Sequence, residues 1–260
     1  MSEPSISAVI ITLNEEANIR RCLESVKWAD EIIVVDSGST DRTLEICKEF
    51  NCRVFSREWE GYAQQKNYAI SQASCDWILS LDADEEVPSN LAAEIREAVI
   101  SDKADAYDMP RRNQFLGRWM KRGGWYPDRQ LRLFKRGCGQ FKEVPLHEYL
   151  ELNDRAQVGK LVNPLLHYTY PTISEFIEKA DRYTNIEAAS VIKEGRQPKS
   201  LILSLILAAP VKFAEVYLYK GGWRDGLHGF IAASLMSLRV FLRYVKMWQA
   251  GCRRGDTVTR

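Results

Sequence analysis

The first 82 residues alternate between short apolar runs of strand length and longer segments with helical periodicity. The runs are rich in β-branched residues and lie at residues 7–13, 32–35, 53–56 and 77–81. In the segments between them, apolar residues recur every three to four positions, as on one face of a helix. This alternation is typical of βαβ units, so the sequence predicts an α/β fold with a mainly parallel sheet.

Polar residues follow three of these runs, where the predicted strands end. Ligands of such sheets bind beyond the carboxyl ends of the strands, so these residues are candidates for a nucleotide site. The sequence has no GxGxxG after the first run and no GxxxxGK[ST] anywhere, which leaves dinucleotide and P-loop sites without their motifs. Phosphates would therefore have to be held by a metal. The strand-end residues are Thr12, Asn14 and Glu15, then Asp36 and Asp41, and finally Asp82 and Asp84.

Four carboxylates follow the last of these runs: Asp82, Asp84, Glu85 and Glu86. In an extended segment, residues two apart project to the same side, so Asp82 and Asp84 can converge on one point. Two carboxylates suit Mg²⁺ or Mn²⁺ bound to a diphosphate. The alternative is a strand that leads into an acidic, solvated segment, and we interpret Glu85 and Glu86 in that way.

The charge is distributed unevenly along the chain. The net charge is +1, but residues 193–260 hold twelve Lys and Arg against four Asp and Glu, a balance of +8 that leaves −7 for the first 192. A basic, apolar C-terminal region indicates an anionic partner surface, with lipid head groups favoured over nucleic acid. Nucleic acid is not expected as a partner, because the basic residues share helices with long apolar faces.

The C-terminal region is predicted to be helical. The apolar run at 201–211 is too short for a membrane span, which needs about 20 residues. Residues 230–248 place Arg239, Arg243 and Lys246 on one face of a helix and apolar residues on another, as in helices that lie at a membrane interface. The alternative is that these helices pack on the N-terminal domain or on a second subunit, which would make a homo-oligomer.

The N-terminus lacks the basic and apolar regions of a signal peptide. The expected location is therefore the cytoplasm, with peripheral attachment to a membrane if the C-terminal region binds lipid.

Four motifs stand out in the first half of the chain: Val9-Ile-Ile-Thr-Leu-Asn-Glu-Glu16, Ile33-Val-Val-Asp-Ser-Gly-Ser-Thr-Asp41, Gln65-Lys-Asn67 and Leu81-Asp-Ala-Asp84. Together they resemble the motifs of glycosyltransferase family 2, whose members have the GT-A fold. Residues 124–134 and 144–148 make the sequence similar, within that family, to bacterial enzymes that add glucose to the inner core of lipopolysaccharide. The resemblance implies a Rossmann-like, nucleotide-sugar-binding GT-A domain at 1–165 and a helical extension at 166–260.

The same resemblance implies a donor site with a divalent metal, Mg²⁺ or Mn²⁺. Asp84 would bind the metal, and His147 would complete the metal or diphosphate site. The residues expected to contact the nucleotide sugar are Thr12, Asn14, Glu15, Asp36, Lys66, Asn67 and Asp82.

The resemblance also implies that the enzyme inverts the configuration of the transferred sugar. Inversion requires a carboxylate base, which is expected on a later loop. Asp128 is the first choice and Glu148 is the alternative. The implied reaction transfers glucose from UDP-glucose to a lipopolysaccharide core or another lipid-linked saccharide. Transfer to a polyisoprenyl phosphate and a non-catalytic, nucleotide-sugar-binding membrane protein are the alternative functions.

Overall fold

The computed structural model describes residues 3–144, 147–193 and 200–253. They form two compact units, the first made of Met1–Arg112 and Asp128–Tyr168, the second of Asn113–Pro127 and Thr169–Arg260. Residues 113–127 lie inside the predicted catalytic domain in sequence, yet they group with the C-terminal helices.

The strands follow the predicted alternation with helices up to residue 82 and are more closely spaced afterwards. They are β1 Ile6–Thr12, β2 Glu31–Asp36, β3 Arg53–Ser56, β4 Trp77–Asp82, β5 Glu85–Glu86, β6 Ala106–Phe115, β7 Arg118–Trp119, β8 Asp128–Lys135, β9 Gly139–Val144, β10 His147–Leu152, β11 Val158–Lys160 and β12 Leu165–Tyr170. The helices are α1 Ile19–Ser25, α2 Thr43–Cys47, α3 Tyr62–Ser71, α4 Ser89–Ser101, α5 Ile173–Lys193, α6 Leu201–Ala214 and α7 Gly226–Arg253.

The main sheet has the strand order β3-β2-β1-β4-β8-β6-β12-β5. The first four strands in this order are parallel, and every residue of β1 is buried, as expected of a strand with helices over both faces. β8 pairs antiparallel with β4 and with β6, which makes the sheet mixed. The predicted α/β fold with a mainly parallel sheet and C-terminal helices is confirmed, and the antiparallel strands come from the second half of the chain.

The second unit contains the three long C-terminal helices. The basic residues of α7 pair with acidic residues of α5: Arg239 and Arg243 contact Glu187, and Lys246 lies 2.7 Å from Asp181. These cations therefore bind a neighbouring helix of the same unit. Binding at a membrane interface and packing on the N-terminal domain or on a second subunit both stay predictions.

The helix that begins with the apolar run at 201–211 extends beyond the end of that run. The helix passes through Pro210 to Ala214 and continues as a π-helical segment, Glu215–Tyr219. Within the described ranges, one helix is long and apolar enough to cross a membrane by length and composition, Leu201–Tyr219, with a mean hydropathy of 1.9. The prediction that this run is too short is therefore wrong.

Candidate active site

The carboxyl ends of β1, β2 and β4 lie side by side. In the sheet, Thr12 is the register partner of Asp36, and Ile11 is the partner of Asp82. The polar residues that end these strands therefore meet at one edge, as the alternation of strands and helices predicted. The Thr12 hydroxyl is buried and has no hydrogen-bond partner among the described residues, so it is suited to a polar ligand group.

Asp36 organises the loop that follows β2. Its buried carboxylate accepts hydrogen bonds from the backbone N–H groups of Gly38 and Ser39 at 2.9 Å and from the Ser39 hydroxyl at 2.5 Å. Asn14 joins this loop to the one after β1, because its side chain accepts from the Thr40 N–H at 2.8 Å and its N–H donates to Ser39 Oγ at 2.8 Å. Asp36 and Asn14 thus shape the two loops that border the strand-end site.

Lys66 is buried, with 1 % of its side chain exposed, and lies between two carboxylates. Its Nζ is 2.8 Å from Asp82 Oδ1 and 2.6 Å from Glu148 Oε1. Burial alone would raise the pKa of Asp82, but Arg132 and Lys66 beside it hold that pKa well below its usual range. Asp82 is therefore an ionised carboxylate fixed by two cations.

Asn67, predicted to contact the donor, binds protein backbone. Its amide donates to the Phe141 carbonyl and accepts from the Phe141 N–H, both at 2.8 Å. It therefore ties α3 to β9, next to the β10 strand that carries Glu148.

Glu85 is fully buried, contrary to the interpretation that it belongs to a solvated segment. Its Oε1 accepts from Arg132 at 2.8 Å and from Arg111 at 3.1 Å, and its Oε2 accepts from the Asp82 N–H at 3.0 Å. Burial is tolerated because two guanidinium groups and a backbone N–H satisfy the carboxylate. Glu86 is half-buried and accepts a hydrogen bond from the Tyr168 hydroxyl at 2.6 Å.

Asp128, the predicted base, begins β8 and is held by two side chains. Arg111 donates to its Oδ2 through Nε at 2.9 Å and Nη2 at 2.7 Å, and Gln130 donates to its Oδ1 at 2.8 Å. These contacts fix the position of the carboxylate.

Seven charged side chains of the first unit form one continuous series of ion pairs, which we call the ion-pair chain. Carboxylates and cations alternate along it, and each cation bridges two carboxylates. The predicted base lies at one end and its alternative, Glu148, at the other. In order, the chain runs Glu148, Lys66, Asp82, Arg132, Glu85, Arg111 and Asp128.

Asp84 has a different neighbour from Asp82, because residues 83–84 form a turn rather than continuing the strand. His167 Nε2 lies 3.3 Å from Asp84 Oδ2. The pairing of β5 with β12 sets this contact, since it places His167 opposite Glu85, and the Tyr168 N–H donates to the Asp84 carbonyl at 3.0 Å.

The Asp84–His167 pair fits a divalent metal such as Mn²⁺, which accepts carboxylate oxygen and imidazole nitrogen. Among the described residues there is no group of three or more His, Cys, Asp and Glu that could hold a metal, so further ligands would come from diphosphate and water. His167 was not predicted from the sequence, although the chain has only three histidines. His147 was predicted instead; it begins β10, and its side chain lies outside the described part of the chain.

Comparison with known families gives the class of protein. The family model "Glycosyl transferase family 2" matches residues 7–147, more than half of the chain. The chain therefore belongs to glycosyltransferase family 2, and the predicted family and enzyme class are confirmed.

Individual proteins are similar to this chain along most of its length. The chain is 33 % identical over 257 residues to the lipopolysaccharide core biosynthesis glycosyltransferase LpsC of Rhizobium meliloti (strain 1021), covering 94 % of this chain and 92 % of LpsC. Its fold is similar to that of mannosyltransferase PcManGT from Pyrobaculum calidifontis, solved with GDP-Man and Mn²⁺, with a TM-score of 0.56, 15 % identity and coverage of 96 % and 88 %. It is also similar to S. aureus TarS 1-349 solved with UDP-GlcNAc, with a TM-score of 0.51, 14 % identity and coverage of 97 % and 92 %.

Proposed function

We propose that this glycosyltransferase moves a hexose, with glucose as first choice, from a UDP-sugar to the lipopolysaccharide inner core or another lipid-linked saccharide. The observation that carries the proposal is the convergence of three strand ends beside the ion-pair chain, with the Asp84–His167 pair next to it. The likeness to LpsC along nearly the whole chain supports a lipopolysaccharide acceptor. An acceptor of this kind would place the enzyme at the cytoplasmic face of the inner membrane.

The strand-end residues would bind the nucleotide part of the donor. The Thr12 hydroxyl, buried and unsatisfied among the described residues, would hydrogen-bond the base or ribose. Asp82 and Lys66 hold each other at this edge, so a sugar or diphosphate group bound there would meet side chains that are already fixed. Side chains that are already fixed lose little conformational entropy when a ligand binds, which lowers the cost of binding.

Asp84 and His167 would hold the divalent metal. When bound, the metal would neutralise the negative charge that develops on the departing diphosphate.

Asp128 would act as the base. Its carboxylate would take the proton from the acceptor hydroxyl as that oxygen forms a bond to the anomeric carbon. The bond from this carbon to the diphosphate breaks on the opposite side, and its electron pair leaves with the diphosphate. A single displacement of this kind inverts the configuration, and Arg111 and Gln130 would keep the base oriented throughout.

Transfer can be tested with a panel of UDP-, GDP- and ADP-sugars, with and without Mn²⁺ or Mg²⁺, and with deacylated lipopolysaccharide core as acceptor. We expect turnover with a UDP-hexose that depends on the metal and requires the saccharide. Turnover with a polyisoprenyl phosphate instead would favour the alternative acceptor. Binding of a nucleotide sugar without turnover on any acceptor would favour the non-catalytic alternative, and no binding at all would refute the proposal.

His167→Ala is expected to raise the Mn²⁺ concentration needed for half-maximal activity by at least about tenfold, since it removes one of two protein ligands. The measurement is a metal titration of activity, paired with Mn²⁺ binding followed by electron paramagnetic resonance in the presence of UDP. His228→Ala is the matched control, because His228 lies on α7 in the other unit. An unchanged metal dependence in the His167 variant would remove it from the metal site.

A further inference from the structure

Helix α6 and the segment after it carry an apolar stripe that faces away from the rest of the second unit. Its members are spaced as on one side of a helix, and 47–63 % of each residue is exposed. None of them has a charged or hydrogen-bonding side chain. We call this surface the α6 stripe; it consists of Ile202, Leu203, Ile206, Leu207, Val211 and Leu218.

The opposite side of the same helix is packed against α7. The Phe213 ring lies 5.7 Å from the Phe230 ring, and Val216 is buried. The Ser237 hydroxyl of α7 donates to the Ala209 carbonyl at 2.6 Å. These contacts fix the rotation of α6, so the stripe is held outward.

Aromatic and basic residues border the stripe at its C-terminal end. Tyr219 is 88 % exposed and Trp223 is exposed as well. Lys220 lies beside Glu215, and the Arg224 guanidinium lies 5.1 Å from the centre of the Trp223 ring. Tyr and Trp concentrate where a bilayer meets water, and Lys and Arg favour anionic head groups.

We propose that the α6 stripe is a membrane-docking surface that inserts into the outer part of an anionic lipid leaflet, with α6 lying along the membrane plane. An aliphatic stripe without polar side chains, bordered by aromatic and basic residues, matches the layers of a bilayer surface. The cores of protein interfaces are instead enriched in aromatic residues and Arg. The docking surface is thus α6, whereas the basic residues of α7 are engaged with α5.

The charges of α7 argue against a helix that crosses the membrane. Leu201–Tyr219 is long enough to span, but α7 packs along it and carries Arg239, Arg243 and Lys246, each near an acidic residue of α5. A crossing α6 would draw these ion pairs toward hydrocarbon, which is costly. An orientation along the surface leaves them in water.

Flotation of the full chain with vesicles of phosphatidylethanolamine and phosphatidylglycerol tests the proposal. The variant Ile206→Glu/Val211→Glu puts two carboxylates on the stripe at exposed positions, where folding should be unaffected. We expect its partition coefficient to fall by at least about tenfold. The matched control is Val158→Glu/Val162→Glu, which changes two exposed aliphatic residues of the first unit and should float like the wild type.

Other outcomes overturn the proposal. Absence of wild-type flotation, or equal flotation of the stripe variant, would show that the stripe does not bind lipid. A wild-type dimer in vesicle-free buffer that the stripe variant converts to monomer, measured by light scattering, would assign the surface to a second copy of the chain. Circular dichroism of both variants confirms folding. Because flotation needs no substrate, its result tests lipid binding independently of the proposed reaction.

Discussion

Asp128→Asn is expected to lower the rate of sugar transfer by about 10³-fold while nucleotide-sugar binding stays close to that of the wild type. The amide keeps the size of the carboxylate and can still accept a hydrogen bond from Arg111, but it cannot take a proton from the acceptor hydroxyl. Asp36, Asp82 and Asp84, which are proposed to bind the donor and the metal, are unchanged. The loss should therefore appear in kcat rather than in donor affinity.

The measurement combines initial rates at saturating donor with calorimetric titration of the UDP-sugar. Asp108→Asn is the matched control, because Asp108 lies on β6 at similar exposure and pairs with a different arginine, Arg129. Glu148→Gln tests the alternative base. A variant at Asp128 that retains turnover, together with a Glu148 variant that loses it, would transfer the role of base to Glu148.

Glu85→Gln is expected to lower the free energy of unfolding by about 3 kcal/mol or more. The substitution removes the charge that lies between Arg111 and Arg132, and leaves two guanidinium groups with one carboxylate partner each, Asp128 and Asp82. Glu85 is fully buried, so water cannot replace the lost charge. The cost is that of an incompletely paired buried cation rather than that of one hydrogen bond.

The same substitution should also reduce kcat, by up to about 10²-fold, because Arg111 fixes Asp128 and a displacement of about 1 Å is enough for such a loss. Rates are measured well below the melting temperature of the variant, with kcat and KM determined separately. A role in stability alone would leave both constants of the folded protein unchanged. Glu86→Gln is the control, because Gln can still accept the Tyr168 hydrogen bond. Wild-type melting behaviour in the Glu85 variant would contradict the role assigned to the buried carboxylate.

Much of the fold was predictable because its signals are local. Apolar periodicity within a few residues identified the first four strands, and parallel pairing follows from strands separated by helices. That pairing brings Thr12, Asp36 and Asp82 together, so the meeting of these strand ends was also predictable from the sequence. The family motifs added Asp128, which no periodicity could single out.

The interpretation of Glu85 failed because its burial depends on residues far along the chain. Its partners Arg111 and Arg132 lie 26 and 47 residues away, and they reach it only through the antiparallel strands β6 and β8. Four carboxylates within five positions are interpreted as solvated when the sequence nearby contains no cations to pair with them. His167 was missed for the same reason, since the pairing of β12 with β5 places it beside Asp84.

The sequence by itself determined the α/β sheet, the strand-end carboxylates and the glycosyltransferase family, because these depend on local periodicity and on contiguous motifs. The tertiary structure decided which charges are buried together, which histidine accompanies Asp84 and which helix face remains exposed. In the C-terminal unit, the basic face of α7 is satisfied by α5, and packing against α7 leaves the aliphatic side of α6 uncovered. These features depend on contacts between residues that are distant in the sequence. Whether a charge is paired or an apolar face is covered is decided by the side chains that the fold places against it.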